Sequence, residues 1–375
     1  MPVLHASGCN LGAGAAVTPL RVQRVSLLHT SVHPVNRAMI DLLQLTRRLV
    51  DIESITNHEA AVGNAVIETL SPLAAAFSGE VERCPVQSDR FNVFAHWGHP
   101  VVTLSTHMDT VPPFFPSRED ADFIWGRGSA DAKGIIAAMI GAAEELLNSG
   151  VRNFGLLFVV GEERNSAGAL AAAKNPRGSR FLINGEPTEN KLALATKGLW
   201  RCEIEARGKL AHSAYPELGE SAIDKLLDVL NDIRQISLPT DPLLGPSTMN
   251  IGVISGGRAP NVIPDLAVAE ISIRLVANAE PVREAVQRAI RGRAELREIL
   301  SIPAQHFDRI NGFETSIVAY TTDVPVFGDN WGKPFLLGPG SIHVAHTSEE
   351  RVPKKELLAA RQIYQQMVNE LLARP

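Results

Sequence analysis

Apolar positions along the chain follow two rhythms, and the places where the rhythm changes mark its elements. From Met39 the text MIDLLQLTRRLVDI spaces Ile40, Leu42, Leu43, Leu45, Leu49 and Val50 at helical intervals, which predicts an amphipathic helix over 39–53. A second helical pattern covers 58–76. Strand-like segments follow near 80–85 and 91–96. Val101–Thr106 is short and rich in β-branched residues, so it reads as a buried strand. Over 131–148, Ile135, Ile136, Met139, Ile140, Ala143, Leu146 and Leu147 recur at helical spacing, and Ser149-Gly150 stops the helix. GLLFVV at 155–160 and FLI at 181–183 predict two more buried strands, with an Ala-rich helix at 166–174 between them. Strands alternating with helices predict an α/β layer, a mostly parallel sheet flanked by helices.

The rhythm shifts after Gly198. Residues 199–206 alternate as a half-exposed strand, 221–236 form an amphipathic helix, 248–255 and 266–275 are strands, 281–291 is a helix, and 296–302 offers a final strand. This order predicts a ferredoxin-like α+β unit. The chain then returns to the first layer through PFLLGPG, one more strand, and a closing helix over 354–372. The expected organisation is a discontinuous domain, 39–198 with 306–375, and an inserted lid or dimerisation domain at 199–305. Residues 1–38 show no clear periodicity and no apolar run followed by a cleavage site. They are expected to be a disordered extension or an artefact of start-codon choice, with folding beginning near Met39.

Composition narrows the classes. A length of 375 residues suffices for two domains, and 45% apolar with 21% charged residues is ordinary for a soluble globular protein. A net charge of −5 without a basic stripe argues against a nucleic-acid partner. Cys9, Cys84 and Cys202 are widely spaced with no CxxC pair, which argues against disulfide or Cys–zinc scaffolding and fits a reducing cytoplasm. No uninterrupted apolar stretch is long enough to predict a membrane span. Gly126-Arg127-Gly128 lacks the companions of a nucleotide loop, and no Gly-x-Ser-x-Gly motif supports a serine hydrolase.

Chemistry gathers where the predicted buried strands end. VVTLST runs into His107-Met108-Asp109, GLLFVV into Gly161-Glu162-Glu163, and FLIN into Gly185-Glu186-Pro187; a Gly-rich turn delivers Asp131 to the long helix. In open α/β sheets, sites form at the carboxyl ends of strands. Carboxylates collected there are costly to desolvate unless they meet a cation. One strand-end carboxylate is ordinarily a helix cap or a solvated loop group; three such strand ends with Asp131 point to a metal. His343 and His346, after Gly338-Pro339-Gly340, each offer a closing ligand. His and carboxylate donors without Cys suit zinc, with cobalt and manganese as alternatives.

These residues carry a resemblance. STHMDTVP, WGRGSADAKG, GEE, GEPT, GKLAHSAYPELGESAI, GGRAPNVIPD and GPGSIHVAHTSEE occur in order from about residue 40 onward. In that order they resemble the acetylornithine deacetylase / succinyl-diaminopimelate desuccinylase / carboxypeptidase G family of dinuclear zinc amidohydrolases. Any one piece is weak, but the ordered series is specific. The resemblance implies two zinc ions per subunit, one held by His107 and Glu186, the other by Glu163 and His346, with Asp131 bridging. His346 is preferred over His343 because the family's ligand is followed three residues later by an acid, as Glu349 follows His346. It implies that Asp109 hydrogen-bonds and orients the His107 ring. Glu162 would be the general base, taking a proton from a water between the metals and handing it to the leaving amine.

The same resemblance implies that His212 reaches a partner subunit's active site and stabilises the tetrahedral oxyanion. The bland alternative is a surface-turn histidine. Asn261 and Arg274 resemble residues that hold a substrate's polar and carboxylate groups, and Gly338 and Gly340 would let backbone N–H groups approach the substrate. The implied activity is cleavage of the amide bond of a small N-acyl amino acid by a homodimeric enzyme. The tail GPGSIHVAH resembles acetylornithine deacetylases most, so release of acetate and an amino acid such as ornithine, in amino-acid biosynthesis, is the first expectation. Desuccinylase, acetylcitrulline deacetylase, carrier-linked lysine hydrolase, dipeptidase and carboxypeptidase activities stay open, because shared motifs do not set pocket shape. A non-catalytic binding protein on the same scaffold is disfavoured by retention of every ligand and of Glu162.

Overall fold

Val102–His107 is buried at every position, which only an interior strand can tolerate. The computed structural model, which describes residues 39–375 and the backbone of Gln23–Arg24, places it near the middle of a seven-stranded sheet. It pairs in parallel with Phe154–Val159 on one side and Phe181–Asn184 on the other, and Lys333–Leu336 continues the parallel run. Arg90–Trp97, Glu80–Gln87 and Gln23–Arg24 extend the sheet beyond Phe154–Val159, each antiparallel to its neighbour. The sheet is therefore more mixed than the mostly parallel one expected. One of these antiparallel pairs has a local cause: Ser88-Asp89, between Glu80–Gln87 and Arg90–Trp97, is too short a connection for anything but a hairpin. Of the N-terminal segment expected to be an extension, Gln23 and Arg24 pair with Arg83 and Glu82. The rest of that expectation lies outside the described residues.

Alternation sends the two faces of the strands into separate cores. Val93, Ala95, Leu156, Phe158 and Ile183 join the large cluster that includes the helix Lys133–Asn148. Phe94, Leu157, Val159 and Leu182 pack on the other face with Ala169, Ala172, Phe327 and Trp331. Lys133–Asn148 is buried almost throughout because Leu42–Val50 and Lys354–Leu372 cover its outer side. The chain leaves Val102–His107, passes through that helix to Phe154–Val159 on one side, and crosses by Ala167–Ala173 to Phe181–Asn184 on the other. The order reverses at this point, so a crevice opens at the carboxyl ends.

A second, antiparallel sheet runs in the order Thr248–Gly256, Leu266–Leu275, Gly198–Arg207, Glu295–Ile302, the arrangement of a ferredoxin-like unit. Trp200, Cys202, Ile204 and Ala206 face the helices Ala222–Arg234 and Ala279–Ile290, and their alternating neighbours, Leu199 and Arg201 among them, face away. Among the described residues no helix is long and apolar enough to cross a membrane. A small sheet that the sequence reading passed over joins Leu192–Thr196 to Gln305–His306 and Thr315–Val318.

The two connections to the second sheet lie side by side: Thr196 pairs with Gln305 and Leu199 with Ile302. Gly198 is where they touch. A Cβ there would stand 2.4 Å from the Ile302 carbonyl oxygen and 2.6 Å from the Ala304 nitrogen. Backbone cannot yield as a side-chain tip can, so Gly198→Ala is expected to destabilise the protein by about 1–3 kcal/mol. A lower urea-unfolding midpoint would register this; an unchanged midpoint would contradict the close approach.

Candidate active site

His107 closes its strand with a buried ring, 1% exposed. Its Nδ1–H points at the Asp109 carbonyl oxygen, 3.0 Å away, and Nε2 stands 2.8 Å from Asp131 Oδ1. The second oxygen of Asp131 lies 3.3 Å from His346 Nε2, so one buried carboxylate sits between two imidazoles. His346 Nε2 is in turn 3.0 Å from Glu163. Donor atoms of His107, Asp131 and Glu163 all lie within 4.8 Å of one another. His346 holds a backbone φ of +63°, in the left-handed region that favours glycine. Its half-exposed side chain opens on the cleft. Strain of this kind is found where surrounding structure over-determines a side chain's direction.

Charge is the dominant feature of this cluster. Burial opposes the charged form of His107, but Asp109 and Asp131 outweigh it and hold the pKa well above the usual histidine range. Asp131 and Glu163 push His346 up to about 10, with burial opposing. Asp131, despite burial, is lowered by the two histidines. The remaining carboxylates go the other way. Burial, then the charge of Glu186, raises Glu162 well above the carboxylate range, and burial raises Glu186 likewise. Burial also raises Glu163, with His346 opposing. Glu186 Oε1 is buried without a hydrogen-bond partner. Acids raised by burial, imidazoles charged by their neighbours and an orphaned carboxylate oxygen are what a set of cation ligands looks like when only protons balance it.

Asp109 meets the His107 ring through its main-chain carbonyl, and its carboxylate has a further task. Its carboxylate accepts the backbone N–H groups of Gly161 at 2.9 Å, Glu162 at 3.1 Å and Glu163 at 3.3 Å, and the Thr56 hydroxyl at 2.7 Å. Its Oδ1 stays 3.6 Å from His107 Nδ1, which binds the main-chain carbonyl instead. With its lone pairs committed to the turn, the carboxylate fixes Glu162 and Glu163 on the neighbouring strand's end.

The expected substrate residues divide. Arg274 lines a cleft of about 540 Å³ together with Asp131, Glu162, Glu163, Glu186 and His346. Its Nη1 is buried without a partner, burial lowers its pKa, and no ion pair to it occurs among the described residues. His212 and Asn261 lie together on an exposed two-stranded ribbon, where Ala211–His212 pairs with Val262–Ile263 and the Ser213 N–H donates to the Asn261 carbonyl. Neither lines the cleft of its own chain. His343 is exposed and lines a neighbouring cavity, apart from the cluster. Gly338 and Gly340 do not offer free N–H groups: these donate to Thr188 Oγ1 and Glu356 Oε2. Gly338 is small for another reason, since a Cβ would stand 2.6 Å from the Glu186 carbonyl oxygen.

Tyr320 and Asp323 were not singled out from sequence. Tyr320 donates to the Pro187 carbonyl at 2.9 Å and lines the cleft. Asp323 is fully enclosed, and burial pushes it up to about 6, with the Ser166 hydroxyl and the charge of His107 opposing. Neither ends a predicted strand or matches a motif, so nothing in the pattern distinguishes them from loop residues.

A family model of the peptidase dimerisation domain matches residues 194–297. A peptidase M20 domain-containing protein of Schizosaccharomyces pombe is 38% identical over 357 residues, covering 92% of this chain and 88% of that protein. A probable carboxypeptidase of Aspergillus oryzae is 36% identical, covering 88% of each. Among solved structures, a tripeptidase from Staphylococcus aureus has a TM-score of 0.73 at 21% identity, covering 90% of this chain and 100% of that one. An M20 family metallo-carboxypeptidase from Sulfolobus solfataricus has a TM-score of 0.71 at 15% identity, covering 89% and 99%. These two share the fold.

A cation that takes the His346 nitrogen must displace its proton, and the raised pKa makes that proton hard to displace below about 10. Competition therefore weakens as pH rises. Cobalt(II) affinity is expected to increase from pH 6 to pH 8.5 with proton release, read by calorimetry in buffers of different ionisation heat. His346→Gln should flatten the dependence. An affinity independent of pH in the unaltered protein would contradict the electrostatics described.

Proposed function

The chain belongs to the peptidase M20 family, and from that premise we propose a metal-dependent, carboxypeptidase-type hydrolase that splits the amide bond between an acyl or peptidyl group and an amino acid bearing a free carboxylate. The observation that carries this reading is Arg274, a half-buried guanidinium with its Nη1 enclosed and unpartnered and with no ion pair among the described residues, in the same cleft as the acidic cluster. A fixed guanidinium fork lacking a protein carboxylate suits one brought by the substrate.

In this reading His107 and Glu186 hold one cation, Glu163 and His346 a second, and Asp131 both; zinc is the first choice, and cobalt and manganese suit the same donors. The orphaned oxygen of Glu186 and the position of Asp131 between two imidazoles support it. When bound, the cations supply a lowered pKa for water and polarisation of the scissile carbonyl. Glu162 takes the proton of the attacking water on its carboxylate and delivers it to the departing nitrogen. Arg274 anchors the substrate carboxylate, and Leu199, Leu300 and Ile302 on the same wall give it an apolar flank.

His212 and Asn261, exposed on their own chain, serve the partner's cleft in a homodimer; the match to the dimerisation-domain model supports that arrangement. The names of the fungal relatives favour an amino-acid-releasing peptidase over acetylornithine deacetylation. N-acetylornithine has the same bond and the same free carboxylate, and stands as the second reading. Free thiols at Cys84 and Cys202 fit the expected cytoplasmic compartment.

Glu162→Gln is expected to retain metal, measured by elemental analysis, while kcat falls roughly 10²- to 10⁴-fold on any substrate turned over. Hydrolysis at the original rate would remove Glu162 from the mechanism. On a panel of dipeptides, N-acyl amino acids including N-acetylornithine, and C-terminally amidated counterparts, only free carboxylates should react well. Arg274→Met should cost roughly 10–100-fold in kcat/KM on them. Equal turnover of amidated substrates would contradict the anchoring role.

A further inference from the structure

The loop that carries His346 continues to Glu350, whose side chain is 1% exposed. Its Oε2 meets Arg127 Nη1 at 2.6 Å in an ion pair closed to solvent on both sides. Its Oε1 accepts the backbone N–H groups of Gly128 at 2.9 Å, Ala130 at 3.3 Å and Asp131 at 3.2 Å. The Gly126 N–H donates to the Glu350 main-chain carbonyl at 3.1 Å. Arg127 is itself held, its Nε donating to the Pro113 carbonyl at 3.2 Å and its guanidinium 4.9 Å from the centre of the Phe115 ring. A carboxylate from the C-terminal loop is thus built into the turn that delivers Asp131, across a sequence separation of 219 residues.

We propose that Glu350, fixed by Arg127, is the positioning residue for Asp131, and that it joins the Asp131 turn and the His346 loop into one unit that presents its ligands together. The proposal rests on the metal reading of the cluster. An apolar contact could hold two loops together, but it could not satisfy three converging N–H groups of a single turn. Those groups include the amide of Asp131 itself, so the carboxylate sets where that residue starts. Arg127 prevents the carboxylate from turning away. The same device recurs across the site, where Asp109 binds the N–H groups of Gly161, Glu162 and Glu163. Two of the three turns that carry cluster acids are therefore wound around a carboxylate supplied from another segment.

A staple that served the fold alone would change stability and leave metal binding untouched, which gives the test. Cobalt(II) affinity, by chelator competition, and the visible cobalt spectrum are measured for the full chain, for Glu350→Gln, and for the charge-balanced double Arg127→Met/Glu350→Gln. Metal-free thermal unfolding is followed in parallel. The expected result is a roughly 10–100-fold loss of affinity in both variants with an altered cobalt band, and a double variant that unfolds close to the unaltered temperature. A folded double variant that binds cobalt with the original affinity and band overturns the proposal and leaves the metal reading intact. An unaltered protein that takes up no cobalt overturns the metal reading and the proposal with it. Hydrogen exchange on the unaltered chain needs no variant to fold: cobalt should protect 126–131 and 343–350 together, and protection of the second without the first overturns the linkage.

Discussion

Four carboxylates, Asp131, Glu162, Glu163 and Glu186, share one pocket with the imidazoles of His107 and His346, and the cost of burying them is the constraint that the rest of this structure answers. A sheet of buried strands brings those side chains to one rim, where they line a common cleft. Protons are a poor solution, as the opposed shifts show: Glu162 and Glu186 are driven toward the neutral form while both histidines are driven toward the charged one. Cations at the same donors would remove both conflicts at once. The cluster is best understood as a charge balance that the polypeptide leaves open.

Rigid support for that balance comes from segments remote in sequence. Asp109 winds the Gly161–Glu163 turn, and Glu350 winds the turn before Asp131. Helix Lys133–Asn148 is buried on nearly every side, so the turn at its start has little freedom. Opposite this stiff floor stands the second sheet, whose outward face supplies Arg274 to the cleft. The floor gathers negative charge; the facing wall contributes Arg201, paired with Glu270, and Arg274, which has no ion pair among the described residues. In the proposed reading a substrate carboxylate goes to Arg274 and the scissile bond to the floor. The side-by-side linkers at Gly198 set how these two halves meet.

Much of this was legible in the text of the chain. Helices and strands were readable from apolar spacing, and the strand ends at His107, Glu162–Glu163 and Glu186 were readable as chemistry because each follows a buried run directly. Residues whose role depends on a backbone partner were not. Glu350 follows another acid in His-Thr-Ser-Glu-Glu, and nothing there announces that its carboxylate meets the amide of Asp131. The resemblance places Asp109 beside the His107 ring, but nothing in the text shows that its carboxylate also holds a turn 52 residues away. Gly338 and Gly340 were read as openings for substrate, whereas their amides are already spent on Thr188 and Glu356. Motif spacing conveys which residues belong to a site; it does not convey which backbone groups remain free to serve it.

The central claim is that the open charge balance is closed by two cations sharing Asp131. Anomalous diffraction from crystals equilibrated with zinc tests it most directly. The account predicts two peaks in the cleft, one within bonding distance of His107 and Glu186, the other of Glu163 and His346, with Asp131 touching both. Zinc bound elsewhere, or a cleft that holds none at saturating metal, would contradict it.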